Sequence, residues 1–505
     1  MANILGIDLG TTNSVLSYLD SLGKPKIHPG EEGNHLTPSV VAFEKKKVLV
    51  GTEAKKKMRI DSENVFSEFK RDMGTDKTYE YVNKKYTPKE LSGIILKKMV
   101  GNFEKSIGEA DEIVITTPAN FSNEAREDTL EAGEIAGFKI KNIINEPTAA
   151  ALYFSHELGL SDGNYVIYDL GGGTFDVSII SIIDDEIEVL TSSGVNKLGG
   201  ADFDLKLLEI ISTKFKNLSG EDLIIGDTHE LIPEIEESKK TLSSRDNCFI
   251  SVLGSEKGRI NFEISREEYV KSINVLIAQT EMLSEQALKD ADLTVDDIND
   301  ILLVGGATRT PAIQDSVEKI FDKKPKTLSN PDEVVALGAA LYAGLQSKDI
   351  LNIEQKKSID SISMQDVCNH YFGTLHGVNN TVQNAVVIEK NTPLPATITT
   401  DKFVTIVKGQ TTVRCTVTQS SAPETDPNFV KIVWEGKLGN LPPGRPAGQQ
   451  IEISFNYDLN QVMHCSFKDI STGNLIEVDL NEKNGINREA KVKDLKDSID
   501  EFLIE

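Results

Sequence analysis

Two aspartates in this 505-residue chain stand at the ends of apolar runs and are followed by glycines and hydroxyl side chains. The first copy reads Gly6-Ile7-Asp8-Leu9-Gly10-Thr11-Thr12, and the second Tyr168-Asp169-Leu170-Gly171-Gly172-Gly173-Thr174. A second apolar run follows each, Ser14 to Leu19 and Phe175 to Ile183. Strand, glycine turn and strand make a hairpin whose backbone N–H groups can reach phosphate oxygens, because glycine permits close approach and positive φ. The aspartates add what a hard cation needs. Mg²⁺ prefers oxygen ligands and keeps several waters, so Asp8 and Asp169 would hold it through its hydration shell while it bridges neighbouring phosphates. One Asp-Leu-Gly turn alone reads equally well as an ordinary β-turn. Two copies in one chain point instead to duplicated lobes facing one cleft.

A third glycine turn, Leu303-Val304-Gly305-Gly306-Ala307-Thr308-Arg309-Thr310-Pro311, runs from a strand through paired glycines toward a helix; by itself it is a weak signal. The elements that must position these turns alternate: short apolar runs such as Glu112 to Ile115 and Ile301 to Val304 intersperse with helical stretches such as Asn123 to Ile135, which reads as α/β up to about Leu345. From Ser347 to Gln365 the chain turns polar and lacks apolar periodicity, so it reads as a linker. Beyond it the pattern switches to period two, as in Val413, Cys415 and Val417, then Ile451, Ile453 and Phe455, then Met463, Cys465 and Phe467. That predicts a compact all-β domain. Leu495, Ile499, Phe502 and Leu503 form one helical stripe near the end, predicting a short amphipathic helix. The expected division is 1–346, a linker at 347–366, a β domain at 367–482 and the helix at 483–505.

Composition narrows the function. The net charge of −25, from 54 Lys and Arg against 79 Asp and Glu, repels nucleic acid and anionic lipid, so a phosphate ligand must be held locally. The first residues carry no basic and apolar leader, and no stretch approaches the roughly 20 apolar residues of a membrane span. A cytoplasmic monomer with no membrane or nucleic-acid partner is expected. Cys248, Cys368, Cys415 and Cys465 are widely spaced, with no CxxC pair, and read as reduced structural thiols.

The ordered motifs Gly6 to Ser14, Asn145-Glu146-Pro147-Thr148-Ala149-Ala150-Ala151, Tyr168 to Val177, Leu198-Gly199-Gly200-Ala201-Asp202-Phe203-Asp204, Val304 to Pro311 and Asn330-Pro331-Asp332-Glu333 together resemble the DnaK-type seventy-kilodalton heat-shock chaperones. The match is nearly continuous over the first 345 residues and looser in the β domain. The resemblance implies an α/β two-lobed actin/hexokinase-like ATPase domain, an all-β sandwich-like substrate-binding domain and a short terminal helix. It also implies ATP or ADP as ligand, with Mg²⁺ and K⁺ as its ions. Asp8, Glu146 and Asp169 would organise the hydrated Mg²⁺; Gly10, Thr11, Thr12, Asn13, Gly171, Gly172, Gly173, Gly199 and Gly200 would line the phosphates, with Thr174 beside the γ-phosphate. Lys70 would position the attacking water and neutralise charge on the transferred group, a task on the order of 3 kcal/mol. Glu236, Lys239, Lys240 and Ser243 would hold adenosine, Gly305, Gly306 and Arg309 would close over the base, and Asp332 would complete the ribose end.

The same resemblance implies partners: unfolded, extended polypeptide, a J-domain co-chaperone and a nucleotide exchange factor. Pro118 and Arg126 match positions that relay the nucleotide state to the β domain. Three departures bear on regulation. Asn120 stands where the family has tyrosine, Asn142 where an arginine receives the J-domain, and Ile362-Ser363-Met364-Gln365-Asp366 where the linker is leucine-rich. Losing two buried leucines removes roughly 3 to 6 kcal/mol of burial, so this linker should dock less strongly. The chain also stops where most members begin a helical lid, so the last helix is expected to pack on the β domain or leave substrate to exchange quickly. Trp434 reads as core packing or as a groove aromatic. The competing functional reading is a regulatory or exchange-factor relative that binds ATP and seldom hydrolyses it; a sugar kinase or filament-forming relative would have no use for the β domain.

Overall fold

In the computed structural model the described residues are 2–30, 33–223, 225–254, 258–328, 330–360, 363–378, 381–479 and 488–505. Strand Ile4–Asp8 sits inside a sheet ordered Ile140–Asn145, Glu112–Thr117, Ile4–Asp8, Asn13–Leu19, Pro25–His28. It pairs antiparallel with Asn13–Leu19, with Asp8 opposite Val15, and parallel with Glu112–Thr117. The second sheet repeats this scheme. Strand Gly163–Leu170 pairs antiparallel with Phe175–Ile183, with Asp169 opposite Asp176, and parallel with Ile298–Val304. The duplicated motif is therefore a duplicated topology, one copy in each of two sheets.

Ile4 to Ile7 and Tyr165 to Tyr168 of the central strands are apolar because helices cover both faces of their sheets. Ile4, Leu5 and Ile7, and likewise Val166, Ile167 and Tyr168, are inaccessible to solvent. Helices Glu146–Leu158 and Val334–Gln346 share one apolar core with residues of both sheets, including Val114, Ile167 and Leu302. Small residues permit this close contact: a Cβ on Gly338 would stand 1.7 Å from the Ala149 carbonyl oxygen, and one on Gly6 would stand 2.1 Å from the Ala340 nitrogen.

The β domain is two four-stranded sheets, Thr381–Ile388, Tyr371–Val378, Val413–Ser420, Lys431–Leu438 and Ala396–Val404, Gln450–Tyr457, Met463–Asp469, Leu475–Asp479. The period-two residues face inward as expected: Cys415, Val417, Ile451, Ile453, Phe455, Met463, Cys465 and Phe467 make one core. Trp434 packs on that core, stacked on Phe467 at 6.0 Å between ring centroids. All four cysteines are free and buried.

Two segments depart from the sequence reading. The stretch read as a polar linker without apolar periodicity carries a helix, Ile353–Ile359, capped by Asn352 and anchored through Gln355 Nε2 to the Asp20 carbonyl at 3.1 Å. It then forms strand Ser363–Gln365, parallel to Glu186–Glu188 at the edge of the second sheet. The linker docks despite its polarity because the edge offers backbone hydrogen bonds, which do not depend on leucines; Ile362 lies outside the described residues. Among the described residues the final helix, Arg488–Asp500, packs on the helices of the first sheet instead of on the β domain. Ile499 is fully buried in the core of the first lobe, among residues that include Phe43, Tyr86 and Ile95, and Leu503–Ile504 forms a strand there; Leu503 itself is exposed. Residues 483–487 of the predicted helix lie outside the described residues.

Candidate functional site

The tips of the two hairpins touch. A Cβ on Gly172 would lie 1.9 Å from Thr12 Oγ1, and one on Gly173 would lie 2.5 Å from Thr11 Cγ2, so glycine is required where the lobes meet. The first tip is braced by Ser39, whose Oγ donates to the Gly10 carbonyl at 2.7 Å and whose N–H donates to the Thr12 carbonyl at 2.8 Å. The second is stitched to the start of helix Gly200–Ser219: the N–H groups of Leu198, Gly200 and Ala201 donate to the carbonyls of Gly173, Gly171 and Gly172. Asp202 caps that start through the Gly199 N–H at 2.8 Å, and Arg71 reaches across from the first lobe to Asp202 at 2.7 Å.

Beside the tips lies a cavity of about 500 Å³. Of the residues singled out from sequence, Asp8, Gly10, Thr11, Thr12, Asn13, Lys70, Glu146, Asp169, Gly171, Gly172, Thr174, Gly200, Glu236, Lys239, Lys240, Ser243, Gly305, Gly306, Arg309 and Asp332 line it. Gly173 and Gly199 do not; they pack against each other, with a Cβ on Gly199 only 2.6 Å from the Gly173 nitrogen.

At its floor Lys70 Nζ meets Glu146 Oε1 at 2.5 Å, both side chains less than a tenth exposed. Lys70 Nζ also lies 5.8 Å from the centre of the Phe121 ring. Burial and the Glu146 charge push the Asp8 carboxyl up to about 7, against the pull of Lys70 and a 2.9 Å hydrogen bond from Thr116. Asp169 is raised well above the carboxylate range by burial and by Glu146, Asp176 and Asp8; burial and Glu146 push Asp176 to about 8. Carboxylates crowded this way favour any cation that enters. Among the described residues no three potential ligands converge on a single point for a bare ion.

At the far end, Lys239 Nζ bonds the Gly200 carbonyl at 2.7 Å and Asp204 Oδ2 at 2.8 Å, tying two helices together rather than standing free in the cleft. Burial raises Asp204 to about 6 although Lys239 opposes it. Glu236 takes Lys55 from the first lobe at 2.5 Å and Lys240 at 2.9 Å; burial alone would raise it, but these lysines hold it down at about 2. Lys55 and Glu236 thus bridge the mouth of the cleft. Arg309 pairs with Asp332 at 2.8 Å. Gly305, with φ of +82°, brings the third glycine turn so near the second hairpin that a Cβ would meet the Leu170 carbonyl oxygen at 2.4 Å.

A family model described as Hsp70 protein matches residues 4–502. The chain belongs to the Hsp70 family. It is accordingly a chaperone of the Hsp70 type, and among the described residues no helix is long and apolar enough to cross a membrane. In this Hsp70-family chain the β domain contacts the strand Ile140–Asn145 of the first sheet. Arg126, fully buried, donates to Thr117 Oγ1, the Ala119 carbonyl and Asn145 Oδ1 at 2.8–3.0 Å. Asn145 in turn donates to Asp366 Oδ2 at 2.9 Å, which also accepts from Gln461 of the β domain at 3.1 Å. Asn120 bonds the Gly194 carbonyl at 2.8 Å, and Asn142 bonds Asn460 of the β domain at 3.0 Å.

Sequence reasoning passed over Lys55, Leu36, Thr116, Asp176 and Asp204. Asp176 carried a signal, since it lies two residues beyond Thr174 in the second hairpin and faces inward from the strand. Lys55 carried none: it is one of three consecutive lysines on a short helix.

Proposed function

We propose that this Hsp70-family chain couples ATP binding and hydrolysis to the capture and release of unfolded, extended polypeptide. The observation that supports this most is the meeting of the two glycine hairpins over a buried Lys70–Glu146 pair flanked by Asp8 and Asp169. Backbone N–H groups of the tips and the hydroxyls of Thr11, Thr12 and Thr174 would hold the phosphate chain, while Glu236, Lys240, Ser243 and the Gly305–Gly306 turn would hold the nucleoside. Glu146 fixes the position of Lys70, whose ammonium orients the attacking water and faces the charge that develops on the transferred group. Asp8, Glu146 and Asp169 would hold hydrated Mg²⁺, which would supply positive charge to offset that of the phosphates.

Coupling would run through adjacent residues. Glu146 follows Asn145, and Asn145 is held by both Arg126 and Asp366, so a shift at the phosphates reaches the β-domain contact through Asp366 and Gln461. Nucleotide can shift the docking equilibrium only by its differential affinity for the docked and undocked states. We divide the chain into a nucleotide domain at 1–346, a linker at 347–366, a substrate domain at 367–482 and a terminal segment at 483–505. A J-domain partner approaching Asn142 would compete with Asn460.

The test is single-turnover ATP hydrolysis with and without an unfolded apolar peptide. Peptide stimulation supports the coupled chaperone. Turnover without any response to peptide refutes the coupling, and tight ATP binding with negligible turnover favours the exchange-factor alternative.

A further inference from the structure

The first lobe carries, above its main sheet, a smaller one ordered Leu503–Ile504, Lys47–Val50, Val40–Glu44, Val65–Ser67. Its outer strand comes from the far end of the chain. Leu503 and Ile504 pair parallel with Lys47 and Val48. The Leu503 N–H donates to the Lys46 carbonyl at 3.1 Å, the Glu505 N–H to the Val48 carbonyl at 2.8 Å and the Val50 N–H to the Glu505 carbonyl at 2.9 Å. Strand addition of this kind draws its affinity from the backbone and its specificity from flanking pockets. Here the pockets hold Ile499, fully buried, and Phe502, edge-on to Phe43 at 5.5 Å. Charge is complementary as well: Lys47 pairs with Glu505 at 2.7 Å, Lys97 with Asp500, and Lys84 with Glu501 at 3.9 Å.

The sheet completed by this segment has two exits, and both lead to the nucleotide cleft. Lys47–Val50 runs through Gly51, at φ +78°, into helix Thr52–Lys57, which carries the Lys55 that bridges to Glu236. Val65–Ser67 runs into the turn Phe69–Asp72, which carries Lys70 and Arg71. A smaller cavity of about 90 Å³ is lined by Val50, Thr52, Glu505 and Leu36, and Leu36 lines the nucleotide cleft too.

We propose that residues 499–505 form a strap that regulates nucleotide exchange: seated on the Lys47–Val50 edge, it holds this sheet in the position that keeps Lys55 on Glu236 and the cleft closed. Release of the strap lets the sheet move and nucleotide leave. The inference rests on the nucleotide reading above.

The experiment measures release of a fluorescent ADP analogue from the Lys47→Cys, Leu503→Cys double variant, oxidised and reduced, and from Phe502→Ala. The substituted positions are register partners on neighbouring strands and both are exposed, which suits a disulfide. The strap predicts release roughly tenfold slower in the oxidised than in the reduced form, about 1.4 kcal/mol, and faster release in Phe502→Ala than in the parent. Equal rates in the oxidised and reduced forms overturn it. Amide exchange at Val50, Leu503 and Glu505 in the parent judges the dock separately: slow exchange supports it, and exchange as fast as in an open loop overturns it. A parent that shows this protection yet takes up no nucleotide refutes the nucleotide reading, and the regulatory claim falls with it while the dock stands.

Discussion

Replacing Lys70 by alanine removes a cation buried within 2.5 Å of Glu146 and leaves Asp8, Asp169 and Asp176 without a charge that lowers their pKa values. Two losses follow, one in the transition state and one in the fold. Loss of a group aimed at developing charge costs about 2.7–4 kcal/mol in the transition state, a fall of roughly 100- to 1,000-fold in hydrolysis. Breaking a buried pair from one side costs the fold about 3–5 kcal/mol, because Glu146 is left uncompensated. The carboxylates then hold their protons more firmly, so Mg–nucleotide binding should strengthen more steeply between pH 7 and 8.5 in the variant than in the parent. Single-turnover hydrolysis, with nucleotide binding measured alongside, separates the two effects. Lys70→Met, which keeps the alkyl volume, serves if the alanine variant fails to fold. Hydrolysis within threefold of the parent while ATP is bound would refute the reasoning about Lys70.

Other outcomes follow from the same geometry. Asp8 and Asp176 are raised to about 7 and about 8, so the folded, ligand-free protein binds more protons than the unfolded chain, and stability is lost as pH rises through these values. From pH 6.5 to 8.5, where burial keeps His370 neutral, the thermal midpoint of free protein should fall and Mg–nucleotide should reverse the fall; a flat or rising midpoint contradicts this. Gly172→Ala drives a Cβ into Thr12 and parts the hairpin tips, so calorimetry should show at least tenfold weaker ATP binding with the far-ultraviolet circular dichroism unchanged. Asp366→Ala leaves Asn145 and Gln461 without their acceptor at about 1–3 kcal/mol, and small-angle scattering should report an undocked β domain; unchanged dimensions would speak against Asp366 as the tie.

Much of the fold of the first 346 residues was legible because glycine and aspartate at fixed spacing leave few alternatives. The repeat of Gly6 to Thr12 in Tyr168 to Thr174 announced the repeated sheet, and period-two alternation announced the β domain. Where legibility failed, the deciding interactions were backbone pairing or distant packing. Ser363–Gln365 looks like polar linker in a hydropathy pattern, yet it joins the sheet through main-chain bonds with Glu186–Glu188. Of the stripe Leu495, Ile499, Phe502 and Leu503, the first three are packed, but the helix ends at Asp500 and Leu503 is exposed on a strand; a stripe does not name the surface it covers, and that surface is the first sheet's helices and the small sheet beside them. Lys55 and Asp204 gained meaning only from partners on other elements, Glu236 and Lys239.

The central claim is that both hairpins grip one magnesium-bound adenine nucleotide. Titration calorimetry of Mg–ADP into the parent and into Asp8→Asn and Asp169→Asn tests it most directly. One site per chain, with heat that depends on Mg²⁺ and with either substitution weakening the Mg²⁺-dependent part, is the predicted result. No uptake by the parent at millimolar nucleotide, or uptake indifferent to both aspartates and to Mg²⁺, would contradict it.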